Sequence, residues 1–299
     1  MKLVKQSFEI LEQTYFSLKG IKQFIERCGR VCYKSEDKIT DTSYEKFVDM
    51  LERKDHARPL EFGTVHLKMP WSNFNNFVGF CISKAVWDSC WIKYHVDRDS
   101  EDKTVYITTN YRYYKRLKSL RPLYGYINIA EFFTEEDNEY YPKRYTVHFI
   151  TSRGIMDEFR THVGLSHLAE STRYCNYSKG KFNNELTFVA PCNLDFQELK
   201  LYGPYHTVIR NQSVESIFMS HLNNAEKDYL DLINLGWTPQ QAREVLPLSV
   251  KSELISCGFG SAWLNFFYRR CAKDAHPMAR EIAIPLQDKF KEMGLSFVY

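Results

Sequence analysis

Residues 160–181, RTHVGLSHLAESTRYCNYSKGK, hold the densest set of reactive side chains in this 299-residue sequence. Arg160, His162, Ser166, His167, Glu170, Ser171, Arg173, Lys179 and Lys181 all fall within it. Ser171-Thr172-Arg173 offers two hydroxyls, backbone amides and a guanidinium in three residues. That set suits a phosphate, because a guanidinium can donate two parallel charge-assisted hydrogen bonds to it. A solvated surface turn could share this composition, but the cluster follows a strand pattern, where many ligand sites lie. A second group, DHARPLE at 55–61, puts His56, Arg58 and Glu61 around a proline. A lone histidine in a turn is more often structural than catalytic. In SAWLNFFYRR at 261–270, Asn265 and Arg269 share a helical face and Arg270 lies on the next. A helix C-terminus favours cations by itself, which is the plainer account of those two arginines. Arg243, in QQAREVLP, stands on a largely apolar helix.

The elements that must position these residues follow from apolar periodicity. Residues 7–33 are expected to be mainly helix, with Phe8, Leu11, Tyr15 and Leu18 at helical spacing and Gly20 as a possible interruption. A helix over 42–53, a strand over 63–69 and mixed helical pattern over 72–90 follow. Residues 96–144 read as an insertion or surface loop, with the Tyr-rich stretch 106–126 inside it. YTVHFIT at 145–151 reads as a strand and 157–162 as a short helix. A long amphipathic helix over 211–235 should stop at Gly236, and Thr238-Pro239 should start another. Helices over 260–272 and 276–293 close the chain, with a kink expected at Pro285. Strands and helices mix without βαβ alternation, so the expected class is α+β with a small antiparallel sheet, in a single domain spanning 1–299.

Composition narrows the partners. The chain is 44% hydrophobic and 26% charged, an ordinary globular balance that excludes wholesale disorder. Net charge is +3, too small to argue for nucleic acid or an anionic membrane. No segment reaches the ~20 apolar residues of a membrane span, and MKLVKQSFEILEQTYF lacks a signal-peptide core, so a cytoplasmic location is expected. The 8 cysteines form no CxxC pair and no Cys/His set has zinc spacing, so free thiols and no metal are expected. There is no GxGxxG and no P-loop.

Taken in order, the four segments resemble flavin-dependent thymidylate synthases. That family's signature runs Arg-His-Arg, two spacers, Ser, one spacer, Asn-Glu, one spacer, Ser, one spacer, Arg. Thr161-His162-Val163, Ser166, Ser171, Arg173 and Tyr174 fall on that register without a gap. DHARPLEF is similar to the family's upstream His-x-Ser/Thr-x-x-Glu-His segment. QQAREVLP and NFFYRRCAKDAHPMAREIA are similar to its later segments. The resemblance covers roughly 20–75 and 140–292. It implies a homotetramer with sites built from more than one chain. It also implies methylation of dUMP to dTMP, with methylenetetrahydrofolate as carbon donor and NADPH reducing a bound FAD. Carried over by position, Ser171 and Arg173 hold the nucleotide phosphate, with Glu170, Arg243 and Arg270 also on the substrate. Arg270, and with it Ser171, is expected to act in catalysis, Arg270 by favouring negative charge on the uracil ring. His56, Arg58, Thr161, His162, Asn265 and Arg269 would lie on the flavin side.

The sequence departs from the family on that side. Thr161 and Val163 replace both arginines of Arg-His-Arg, and Ser261 replaces another near the last helix start. Leu168-Ala169 replace Asn-Glu, with Glu170 one place later; Arg58 stands for Ser/Thr, Phe62 for His and Arg269 for Leu. The preferred reading is that Arg58, Arg160 and Arg269 replace the lost cations and FAD still binds. The alternatives are a same-fold protein that binds a pyrimidine nucleotide with altered or lost flavin chemistry, or an enzyme acting on a different pyrimidine nucleotide. Single-stranded nucleic acid on the Tyr-rich stretch is a weaker option, against which the small net charge counts.

Overall fold

The computed structural model describes residues 1–83, 88–119, 128–173, 175–192 and 214–296. Its first sheet carries most of the reactive segments. Four strands, β2 (Ser7–Leu11), β7 (Arg144–Ser152), β10 (Lys251–Phe259) and β8 (Ser166–Ala169), pair antiparallel in that spatial order. β8 is therefore an edge strand. A second antiparallel sheet has the order β4 (Ile92–Val96), β5 (Thr104–Asn110), β3 (Thr64–Pro70) and β6 (Phe133–Thr134). A two-stranded parallel pair joins β1 (Lys2–Val4) to β9 (Thr187–Val189).

Helix α1 (Leu18–Tyr33) ties the two larger sheets together because it carries two apolar stripes. Ile21 and Ile25 pack into the core of the second sheet with Val65 and Leu67. Phe24, Cys28 and Val31, on the next face, pack against Leu168, Ile255 and Cys257 of the first. Ser17 caps the helix, its hydroxyl accepting from the Gly20 amide at 3.1 Å. The helix ends at Lys34, which is left-handed at φ 49°. The opposite face of the first sheet is covered by α5 (Arg153–Phe159), α8 (Gly260–Arg270) and α9 (Pro277–Glu292), around Phe149, Phe159, Trp263, Phe266 and Phe290.

Most expected elements appear close to their sequence bounds: α2 (Ser43–Arg53), β3, α3 (Trp71–Ser83), β7, α6 (Val214–Asn234) and α7 (Pro239–Ala242). Three expectations need correction. Residues 7–11 are a strand, not helix; their exposure alternates along SFEIL, and the helix begins only after Ser17. In 96–144, β5 occupies the middle of the second sheet and α4 (Tyr111–Ser119) follows it, so this stretch is not simply a loop. The short helix expected over 157–162 lies earlier, as α5, because Ser152 caps it; α9 runs on through Pro285. Of the Tyr-rich stretch, Tyr111, Tyr113 and Tyr114 are buried in the core, which turns those rings away from solvent, while 120–127 lie outside the described residues.

Candidate functional site

The sequence-predicted residues gather at the two ends of β8. At its start, the turn through Thr161–Leu165 rests directly on Gly258 of β10. A Cβ at Gly258 would sit 2.7 Å from Leu165 Cδ2 and 2.9 Å from the Gly164 carbonyl oxygen. Gly164 itself has φ +89°, a conformation that favours glycine. This close approach fixes where His162 and Ser166 stand.

Arg270, the last residue of α8, reaches this turn. Its Nε donates to His162 Nε2 at 2.9 Å, its Nη1 to Glu158 Oε2 at 2.5 Å, and its Nη2 to the Glu158 carbonyl at 2.6 Å and Thr161 Oγ1 at 3.3 Å. His162 must then be neutral, with its Nε2 as acceptor. Burial, followed by the positive field of Arg270, pushes its pKa down to about 4. Its neighbour His167 donates from Nε2 to the His162 carbonyl at 3.3 Å and meets Ser256 Oγ at 2.9 Å through Nδ1. Burial also pushes His167 down to about 4, with Arg160 and Arg58 acting in the same direction. Arg269 adds to the field on His162. Arg58 and Arg160 thus act on His167 and Arg269 on His162 through their charge, and Arg160 is paired with Asp157 at 3.3 Å.

Both histidines ionise at about 6.5 when unfolded, so the unfolded chain takes up protons first as pH falls. Their contribution to stability is complete above that value and is lost as pH drops towards about 4. The urea midpoint should therefore decline between pH 6.5 and 4.5, and His167→Gln should flatten part of that slope. A midpoint constant across this window would contradict the assignment.

Beside the turn open two adjoining chambers that share Cys90 and Gly164. The first, about 210 Å³, has Val163, Phe259 and Ala262 as apolar wall and Lys93, Ser261 and Asn265 as polar groups. The second, about 160 Å³, is lined by Arg58, Glu61, Asn110, Arg144 and Ser166 among others. Glu61 is its hub. Its side chain is fully buried, taking Arg112 Nη1 at 2.5 Å, the Ser166 hydroxyl at 2.5 Å and Arg58 Nη1 at 3.5 Å. Two segments 105 residues apart thereby meet in one hydrogen bond.

At the far end of β8, Ser171 is anchored through its amide to the Cys32 carbonyl at the end of α1, 3.2 Å away. Arg243 Nη1 donates to Thr172 Oγ1 at 3.3 Å and Arg173 Nε to Gln240 Oε1 at 3.1 Å. Two arginines from separate segments therefore flank one hydroxyl-rich turn. Glu170 faces inward and is buried, its carboxylate taken by Lys251 Nζ at 2.9 Å and Tyr177 OH at 3.4 Å. Glu253 joins this network through Lys34, Lys251 and His148. Burial raises the Glu253 carboxyl, but the His148 hydrogen bond and both ammonium groups outweigh it and hold it well below the usual carboxylate range. His56 is exposed and bonds Tyr33 OH through Nδ1 at 2.9 Å, outside both chamber linings. Tyr174 lies outside the described residues.

Sequence reasoning missed Lys93, Arg112 and Arg144. They come from the second sheet, α4 and the start of β7, and no local motif marks them. Among the described residues, no group of His, Cys, Asp and Glu is arranged to hold a metal ion, and no helix is long and apolar enough to cross a membrane.

These features define an α+β protein with arginine clusters at both ends of an edge strand. Residues 143–293 match the family model of the thymidylate synthase complementing protein, and the chain belongs to that family. No curated protein gives a significant match to the chain. Among solved structures it is similar to the UMP/dUMP methylase PolB from Streptomyces cacaoi bound with 5-Br dUMP, at 14% identity and a TM-score of 0.42, covering 98% of this chain and 93% of that one. The same methylase bound with 5-Br UMP gives 13% identity and a TM-score of 0.43, covering 98% and 92%.

Proposed function

We propose that the protein is a flavin-dependent thymidylate synthase, which methylates dUMP to dTMP with methylenetetrahydrofolate as carbon donor and NADPH as reductant. Family membership supports methyl transfer to a nucleotide. The observation that carries the reading is the convergence of Arg243 on the Ser171–Arg173 turn, across 71 residues of sequence. Hydroxyls, amides and two guanidiniums there form a suitable cradle for a nucleotide phosphate. The first chamber fits a flavin ring in kind: apolar walls from Val163, Phe259 and Ala262, with the Asn265 amide and Ser261 hydroxyl for polar ring edges. FAD, when bound, supplies the hydride chemistry.

In this reading Ser171, Arg173 and Arg243 bind the phosphate of dUMP, and Glu170 supports the turn from behind. Arg270 is held by Glu158 and His162 in one orientation, so its charge is fixed before negative charge develops on the uracil ring. His162, Thr161, Asn265, Arg58 and Arg269 belong to the flavin side, with His56 near the end of α1. Cys90 lines both chambers, but burial and then Asp88 raise its thiol pKa, so it is a poor nucleophile. A scheme without an attacking thiol agrees with that. The two arginine clusters sit at opposite ends of β8, which by itself spans roughly 10 Å at about 3.3 Å per residue. The family resemblance adds a homotetramer, with each site completed by a second chain. Val163 and Ser261, both neutral, favour a second reading, in which the nucleotide binds but flavin chemistry is altered or lost.

An absorbance spectrum before and after adding FAD and dUMP separates the two. A bound-flavin spectrum perturbed by dUMP, followed by NADPH oxidation and dTMP formation, is the expected result. Nucleotide binding without any flavin would establish the second reading instead.

A further inference from the structure

Lys93 is the one charged residue lining the first chamber among the described residues. It stands on the edge strand β4 of the second sheet, outside every segment that resembles the family. Its Nζ lies 2.6 Å from Ser261 Oγ and 5.4 Å from the centre of the Phe259 ring. It is only partly exposed, yet none of the described carboxylates pairs with it. An ammonium in a chamber lining with no paired carboxylate favours an anion from outside. The start of α8 adds field of the same sign. Its N-cap is Phe259, with no side-chain cap and no acidic residue in the first turn. The ammonium lies over the Phe259 ring; Val163 and Ala262 supply the remaining apolar lining, and the Asn265 amide also lines the chamber. One end of this chamber suits an anion, and the remainder suits a flat ring.

We propose that Lys93 is a ligand-binding residue: it contacts the phosphate of a flat-ringed, phosphorylated ligand seated in the first chamber, from outside the family's sequence signature. The inference rests on the chamber being the cofactor side of the site and names a cation for it. Val163 and Ser261 are neutral, and the charge beside Ser261 is brought by a strand of the other sheet.

The test is equilibrium binding by flavin fluorescence, using the full chain with FAD, FMN and riboflavin, and inorganic pyrophosphate followed by thermal shift. Lys93→Gln should weaken FAD and FMN by about 10- to 100-fold, the range of one charge-assisted hydrogen bond, and leave riboflavin unchanged. Lys93→Arg should recover most of the loss. Lys68→Gln, which removes an exposed lysine paired with Glu136 on β3, should change nothing. Equal FAD affinity in wild type and Lys93→Gln overturns the proposal, as does an equal loss for riboflavin. If flavins fail to bind wild type but pyrophosphate binds and needs Lys93, the anion site stands and the flavin reading falls. If wild type binds neither flavin nucleotides nor pyrophosphate, both fall.

Discussion

Glu61→Ala is expected to lower stability by about 2–3 kcal/mol, a large share of the 5–15 kcal/mol typical of a folded chain. The Glu61 carboxylate is fully buried and gathers Arg112, Arg58 and the Ser166 hydroxyl. Removing it leaves two guanidiniums facing each other across a void and an orphaned hydroxyl. Buried pairs broken on one side commonly cost about 3–5 kcal/mol. Here the loss is smaller, because Arg112 and Arg58 are 41% and 59% exposed and can turn to water. Glu61→Gln keeps the shape and one acceptor, so it should lose less. Urea midpoints of the three proteins check the order wild type, Gln, Ala. A midpoint for Glu61→Ala equal to wild type would show that the carboxylate does not hold the second chamber together.

Arg243→Ala should weaken dUMP binding by about 10- to 100-fold while leaving the fold intact. The factor follows from about 1.5–3 kcal/mol for a hydrogen bond to a charged group. The side chain is 34% exposed, and within the chain it meets the Thr172 hydroxyl at 3.3 Å and the exposed Glu244 carboxylate at 3.5 Å. Little packing is lost with it. Arg243→Lys should restore part of the affinity, since it keeps charge but not the fork. Arg160→Ala, which breaks an exposed pair with Asp157 at the other end of β8, is the control and should bind dUMP normally. Calorimetric titration gives the affinities and a urea midpoint confirms the fold. Undiminished dUMP affinity in Arg243→Ala would remove the phosphate cradle as the basis of the proposed function.

How legible each part was depended on whether its pattern was local. α2 and α6 were readable because apolar residues recur at helical spacing, and β3 and β7 because apolar and polar residue types alternate along them, although both strands are largely buried. β5 was not: six of its seven residues, Val105 to Asn110, are buried, so TVYITTN shows no alternation. Thr108, Thr109 and Asn110 are polar residues inside the core, which disguised a central strand as loop. In β2, Phe8 and Leu11 happen to lie three apart, a spacing that imitates a helix. The phosphate cradle was legible because Ser171, Thr172 and Arg173 are consecutive. The Glu61–Ser166 contact and the placement of Lys93 were not, because each exists only once the two sheets have packed against α1. Arg58, Arg160 and Arg269, read as replacements for the lost cations, reach the two histidines through their charge. Of the three, only Arg58 lines a chamber, and none lines the first.

The position of β8 at the edge of its sheet has an evolutionary consequence. Its two ends are inherited in one short stretch of gene but constrained by different neighbours: α8 and the second sheet at one end, α1 and α7 at the other. Substitutions can accumulate at Thr161 and Val163 without disturbing Ser171 or Arg173. Such a strand lets one half of a site drift, and be rebuilt from elsewhere, while natural selection holds the other half still.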